Sequence, residues 1–131
     1  MKKYLLDTHI ILWLAENSSN LSEVAKAAIL DDSAEKYASV ASCWEVSIKL
    51  SLNKLELEGG TNEFFRIISE NGFQLLDITQ RQLAVLETLP FYHKDPFDRL
   101  LIASAIADEM TFVTADASIL AYKGEGVSFV S

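Results

Sequence analysis

Short apolar runs alternate with helix-patterned stretches along the whole chain, and this alternation restricts the fold more than any other feature of the sequence. "YLL" ends at Asp7 and leads into "THIILWLAEN", which is too long and continuous for a strand. "LSEVAKAAILDD" sets Leu21, Val24, Ala25, Ala28 and Ile29 at helical spacing behind Ser22, a predicted N-cap. "KYASVAS" reads as a strand, and "SCWEVSIKLSLNK" as a helix opened by Ser42 and Glu45 at capping-box spacing. "TNEFFRIISENGF" is a helix stopped at Gly72, and "FQLLDIT" is a strand. Thr79 and Gln82 then open a helix that Pro90 ends, and a further helix starts with Asp95 as cap and Pro96 in its first position. "TFVT", "ADASILAY" and "VSFV" follow as strand, helical turn and strand. Parallel neighbours need a long crossover between them. The expected fold is therefore of the α/β class, a three-layer α/β/α sandwich with a mostly parallel central sheet. A single domain over residues 1–131 is expected, long enough to bury about two-thirds of its unfolded surface.

Composition narrows the functional classes. Half the residues are hydrophobic and there is no polar or repetitive tract, which argues against a disordered chain. The lone Cys43 can form no internal disulfide and has no CxxC or Cys/His partner for zinc, so it reads as a small core residue in a reducing cytoplasm. Lys2 and Lys3 ahead of an apolar stretch look superficially like a signal peptide, but Asp7 and His9 interrupt it. No apolar run approaches the length of a membrane span. The formal net charge is -8, from 19 acidic against 11 basic residues. Such a chain attracts a polyanion poorly, because phosphate binding draws on Lys and Arg. If it handles nucleic acid, bound cations or a basic partner must offset the repulsion locally.

In parallel α/β sheets, function gathers beyond the carboxyl ends of the strands. Asp7 ends the first strand and Asp116 lies two residues past "TFVT". Glu45 and Asp98 fall in the first turns of the helices after the second strand and before "TFVT". All four should face one edge. Two unit charges ~5 Å apart repel by about 3 kcal/mol at an effective dielectric of ~20, so such a cluster implies shared protons or a bound divalent cation. Oxygen ligands without a Cys or His cluster favour magnesium or manganese over zinc. On phosphodiesters, a carboxylate-held metal activates water and stabilises the leaving oxygen.

Each acid also has a plainer reading. Asp95 before proline is an ordinary N-cap, Asp98 complements a helix dipole, Glu45 completes a capping box, and Asp7 and Asp116 are loop acids. Their convergence is what separates the two readings. His9 fits a capping or supporting role, and His93 has no Ser or Cys nucleophile identifiable by motif. No phosphate-cradling glycine loop is present. Trp13 and Trp44 read as core anchors, or, if exposed, as aromatics at an interface. "IILWLAE" and "FFRIISE" are apolar enough either to fill the core or to leave a groove for a partner helix.

"YLLDTHIILWLAE", "SVASCWEVSIKLSLNKLEL" and "HKDPFDRLLIASAIADEMTFVTADASI" resemble, in order and spacing, the PIN domain, and within it the VapC-type toxins of bacterial toxin–antitoxin pairs. The resemblance implies a Mg2+- or Mn2+-dependent endoribonuclease silenced by a cognate antitoxin, and a homodimer. Carried onto this chain, it assigns Asp7, Glu45, Asp98 and Asp116 to catalysis and metal binding. Thr8 and Thr114 are hydroxyl donors beside two of those acids, Asp95 is a cap or a neighbour of the site, and Arg99 would pair with a site acid or touch a phosphate. "IASAIA" departs from the "IAQA" of this subgroup, at a position that is no proposed ligand. A haloacid-dehalogenase-type phosphatase would need Asp-x-Asp, and Asp7-Thr8-His9 lacks the second acid. The remaining alternatives are a structure-specific DNA nuclease and a module that binds RNA without cutting it.

Overall fold

A computed structural model describes residues 1–131. In chain order the elements are β1 (Lys3–Leu6), α1 (Thr8–Glu16), α2 (Glu23–Ile29), β2 (Glu35–Ser39), α3 (Val40–Ser51), α4 (Gly60–Glu70), β3 (Gln74–Leu76), α5 (Gln80–Thr88), α6 (Pro96–Ala107), β4 (Thr111–Val113), a 3-10 segment (Ala117–Glu125) and β5 (Ser128–Val130). The five strands form one parallel sheet in the order β3-β2-β1-β4-β5. The expected α/β/α sandwich is present, and its sheet is wholly parallel.

Side chains alternate across the strands, and this divides the interior in two. Tyr4 and Leu6 of β1 and Val113 of β4 pack with Ile10, Ile11, Val46, Phe64 and Ile67 from α1, α3 and α4. Leu5 and Phe112 point the other way, against Leu101, Ile102, Ile119 and Tyr122 from α6 and the 3-10 segment. Each fully buried aliphatic or aromatic side chain of this kind contributes roughly 1.5–3 kcal/mol. The central β1 is therefore covered on both faces, exposed at Lys3 and buried from Tyr4 to its carboxyl end, where Asp7 follows.

Most helix boundaries follow the local chemistry read above. Ser22 caps α2, Thr79 and Gln82 form a reciprocal capping box on α5, and Asp95 caps α6 with Pro96 following. Gly72, just past α4, has φ +71°, the left-handed geometry that glycine adopts at least cost. Two expectations are corrected. α3 begins at Val40 with Ser39 as N-cap, its hydroxyl accepting from Ala41 N. Ser42 is thus inside the helix and Glu45 lies beyond its first turn, so the pair forms no capping box. Trp44 is not a core anchor. It is 58% exposed, packed edge-on against Phe97. The apolar segments of α1 and α4 largely fill the core through Ile10, Ile11, Leu12, Phe64, Ile67 and Ile68. What they leave open is a shallow cavity rimmed by Glu63, Arg66 and Glu70.

Candidate functional site

Five carboxylates line one cavity of about 210 Å³ beyond the ends of β1 and β4: Asp7, Glu45, Asp95, Asp98 and Asp116. His9, Trp13, Lys49 and Ala115 complete its wall.

Asp7 owes its position to two elements. It ends β1, where its N–H donates to Val113 O at 2.9 Å, and it is the N-cap of α1, with Oδ1 accepting Thr8 N–H at 2.7 Å. Its Oδ2 accepts the buried Thr114 hydroxyl at 2.8 Å. Burial holds the carboxyl above its ordinary value, and the Thr114 and Thr8 hydrogen bonds work in the opposite direction.

Glu45 is also buried, reaching back from α3 to the start of α1. Thr8 Oγ1 lies 2.8 Å from both Glu45 Oε1 and Ser42 Oγ. A carboxylate can only accept, so the single threonine proton goes to Glu45 and the Ser42 hydroxyl donates back. Lys49, one turn along α3, reaches Glu45 Oε2 at 2.9 Å. Burial, the largest influence on Lys49, favours its neutral form. The Glu45 hydrogen bond and the charges of Glu45, Asp95 and Asp98 outweigh burial and hold the ammonium above its ordinary value.

Asp98 stands in the first turn of α6. Its carboxyl is pushed up to about 8, first by burial and then by the charges of Asp7, Asp95, Glu45 and Asp116. Acids far apart in sequence thus act on one side chain. Asp116 caps the 3-10 segment, with Oδ1 accepting the Ser118 N–H and hydroxyl at 2.9 and 2.7 Å, and these bonds draw its carboxyl below the ordinary value. Asp95 both caps and lines. Its Oδ1 accepts from Phe97 N at 2.8 Å and Asp98 N at 3.3 Å, and it faces the cavity.

The structure does not bring Arg99 to the acids. Its buried guanidinium turns the other way and donates to Pro90 O at 2.9 Å, Leu89 O at 3.1 Å and the Tyr122 hydroxyl at 3.2 Å, with its Cζ 3.8 Å from the Phe91 ring centroid. It meets no carboxylate. Arg99 fastens the 89–91 segment to α6, so its expected pairing with a site acid or a phosphate is corrected.

That segment leads to His93, which the sequence reading left without a role. His93 N donates to the Tyr122 hydroxyl at 3.0 Å, and its Nδ1 accepts the Asp95 N–H at 3.1 Å. A neutral imidazole whose Nδ1 accepts has its proton on Nε2. Nε2 lies 3.3 Å from Asp98 Oδ2 and 3.6 Å from Asp116 Oδ2. His93, Asp98 and Asp116 present ligand atoms within 4.8 Å of one another, yet in this tautomer Nε2 carries its proton beside the two acids and offers no lone pair to a metal. Lys49 was the other residue missed. His93 opens the His-x-Asp-Pro-Phe-Asp-Arg run and so had a signal. Lys49, one helical turn past Glu45, had only its spacing.

The donor set fits a divalent cation: hard carboxylate oxygens, those of Asp7 and Glu45 buried, with one ammonium that is already engaged by Glu45. The repulsion that drives Asp98 toward its protonated form is the repulsion a cation would relieve.

The PIN domain family profile matches residues 4–125. No curated protein matches the chain by sequence. Among solved structures, the chain is similar to VapBC2 from Rickettsia felis bound to a DNA fragment from its promoter, at 15% identity over 97% of this chain and 96% of that chain, TM-score 0.71. It is similar to FitAcB from Neisseria gonorrhoeae at 20% identity over 98% and 96%, TM-score 0.67. A toxin–antitoxin complex from Klebsiella pneumoniae gives 18% identity over 90% of each chain, TM-score 0.62. At these identities the likeness is one of fold.

Proposed function

The chain belongs to the PIN domain family, and from that premise we propose that it is a Mg2+- or Mn2+-dependent endoribonuclease, the toxin of a toxin–antitoxin pair. The observation behind this reading is the convergence of Asp7, Glu45, Asp98 and Asp116 on one cavity, with Asp98 pushed up to about 8 by burial and its acidic neighbours. Asp7, Asp98 and Asp116 would hold the cation, with Thr114 fixing Asp7 and His93 standing beside Asp98 and Asp116. A divalent ion there supplies Lewis acidity toward the phosphodiester and offsets its charge. Glu45, held by Thr8 and Lys49, accepts the proton of the attacking water. In-line attack on phosphorus breaks the bond to the 3'-oxygen and leaves a 5'-phosphate and a 3'-hydroxyl.

The reading includes a cognate antitoxin and a second copy of this chain as partners. The antitoxin is supported by the fold shared with a toxin–antitoxin complex. No helix is long and apolar enough to cross a membrane. A cytoplasmic location is part of the proposal and suits the buried free thiol of Cys43.

The test is cleavage of single-stranded RNA by purified protein with manganese. Activity should vanish in excess EDTA and collapse in Asp98→Asn. Cutting that survives either change overturns the assignment.

A further inference from the structure

We propose that His9 and Trp13 form a stacking platform for an unpaired nucleobase beside the acid cluster, so that the strand entering the site is single-stranded RNA. The inference rests on the nuclease reading for the identity of its ligand and deepens it.

The two residues are four apart on α1 and therefore share a face of the helix that Asp7 caps. Their ring centroids lie 5.8 Å apart, tilted by 46°. Both line the cavity that holds the five carboxylates. Trp13 is half-buried and packs against the core formed under α1 and α4, and His9 is exposed. Trp13 is thus seated on the core on one side and lines the cavity on the other. The pair of exposed Trp44 with half-buried Phe97 lines neither cavity.

Charge gives this pair its importance. At a net charge of -8, the protein's field repels RNA, and Lys49 is the one Lys or Arg in the cavity wall. Its charged form is favoured by Glu45, Asp95 and Asp98, which places a single ammonium where it can meet one phosphate. Beyond what a bound cation and Lys49 offer the phosphates, strand affinity is left to an interaction that does not depend on net charge. Base–aromatic stacking is such an interaction. It also selects the substrate form, because bases in a duplex keep their faces covered, whereas unpaired bases are free to stack on side chains.

The test uses the full chain, a fluorescently labelled RNA hexamer, and calcium in place of manganese so that binding is read without cleavage. Trp13→Leu fills the core-side space without a π-face, and Trp13→Phe keeps a ring. Leucine should weaken binding of the single strand by roughly 5- to 150-fold, the range of one base–aromatic stack, while phenylalanine stays near wild type. A packing role alone would rank leucine with phenylalanine. Trp44→Leu should bind like wild type, and the fully paired duplex should bind weakly and be indifferent to Trp13. The proposal is overturned if Trp13→Leu holds the hexamer as tightly as wild type, or if both Trp13 variants lose single strand and duplex alike. Calorimetry of the wild type with Mn2+ separates the two levels. Absence of Mn2+ binding sinks the nuclease reading itself, whereas Mn2+ binding with an unaffected Trp13→Leu sinks only the platform.

Discussion

Replacing Asp98 by asparagine should stabilise the metal-free protein, and the gain should grow as the pH rises. The carboxyl is raised from 3.8 to about 8, by burial and by Asp7, Asp95, Glu45 and Asp116. Below about pH 4 the group is protonated whether the chain is folded or not, and above about pH 8 it is ionised in both states. Between those limits the folded chain holds the proton that the unfolded chain has lost, so stability falls as pH increases. The slope is at most about 1.4 kcal/mol per pH unit, or roughly 4 kcal/mol accumulated by pH 7. The side chain is 17% exposed, and water and relaxation reduce this to an expected gain of about 2–4 kcal/mol. Asparagine preserves the shape and removes the ionisable proton, so the comparison isolates the charge. Urea unfolding in EDTA at pH 5, 6, 7 and 8 measures it: the gap between wild type and variant should be smallest at pH 5, about 1–2 kcal/mol, and widen toward pH 8. Saturating Mn2+ should reverse the order, since a ligand at a thousand times its Kd adds about 4 kcal/mol to the form that binds it. Curves that stay parallel in EDTA, or a variant less stable than wild type at pH 7, would refute the electrostatic account of the site.

Thr114→Val removes the donor to Asp7 Oδ2 and the acceptor of Asp116 N–H, and should weaken Mn2+ binding by about 10- to 100-fold in calorimetry with the fold intact by circular dichroism. Arg99→Ala strips the carbonyls of Leu89 and Pro90 of a buried donor and should cost at least about 3 kcal/mol in urea unfolding, an effect on stability even without metal. Ser39→Ala should cost about 1 kcal/mol as the loss of the α3 cap, measured the same way.

Local chemistry made the elements readable, and distance along the chain hid their contacts. The caps at Ser22, Thr79 and Asp95 depend on groups two or three residues away, which the sequence displays directly. Ser-x-x-Glu at 42–45 looks the same as those signals, but both side chains meet Thr8 across the fold, and no local pattern reports a partner 37 residues distant. Asp7, Glu45, Asp98 and Asp116 were legible as a group because a parallel sheet sends every strand end to one edge. Arg99 was misjudged because its neighbour Asp98 suggested a shared direction, and on a helix adjacent residues point about 100° apart. His93 was left unassigned because its meaning lies in which ring nitrogen is engaged, and that is set by a backbone N–H in the folded loop.

The sheet order has a temporal meaning. β4 joins β1 on the side opposite β2, and it brings the threonine that holds Asp7, with Asp116 just beyond. Synthesis must therefore pass Asp116 before the cluster can close, and a fragment that stops ahead of Thr114 lacks both the hydroxyl that holds Asp7 and the last of the acids.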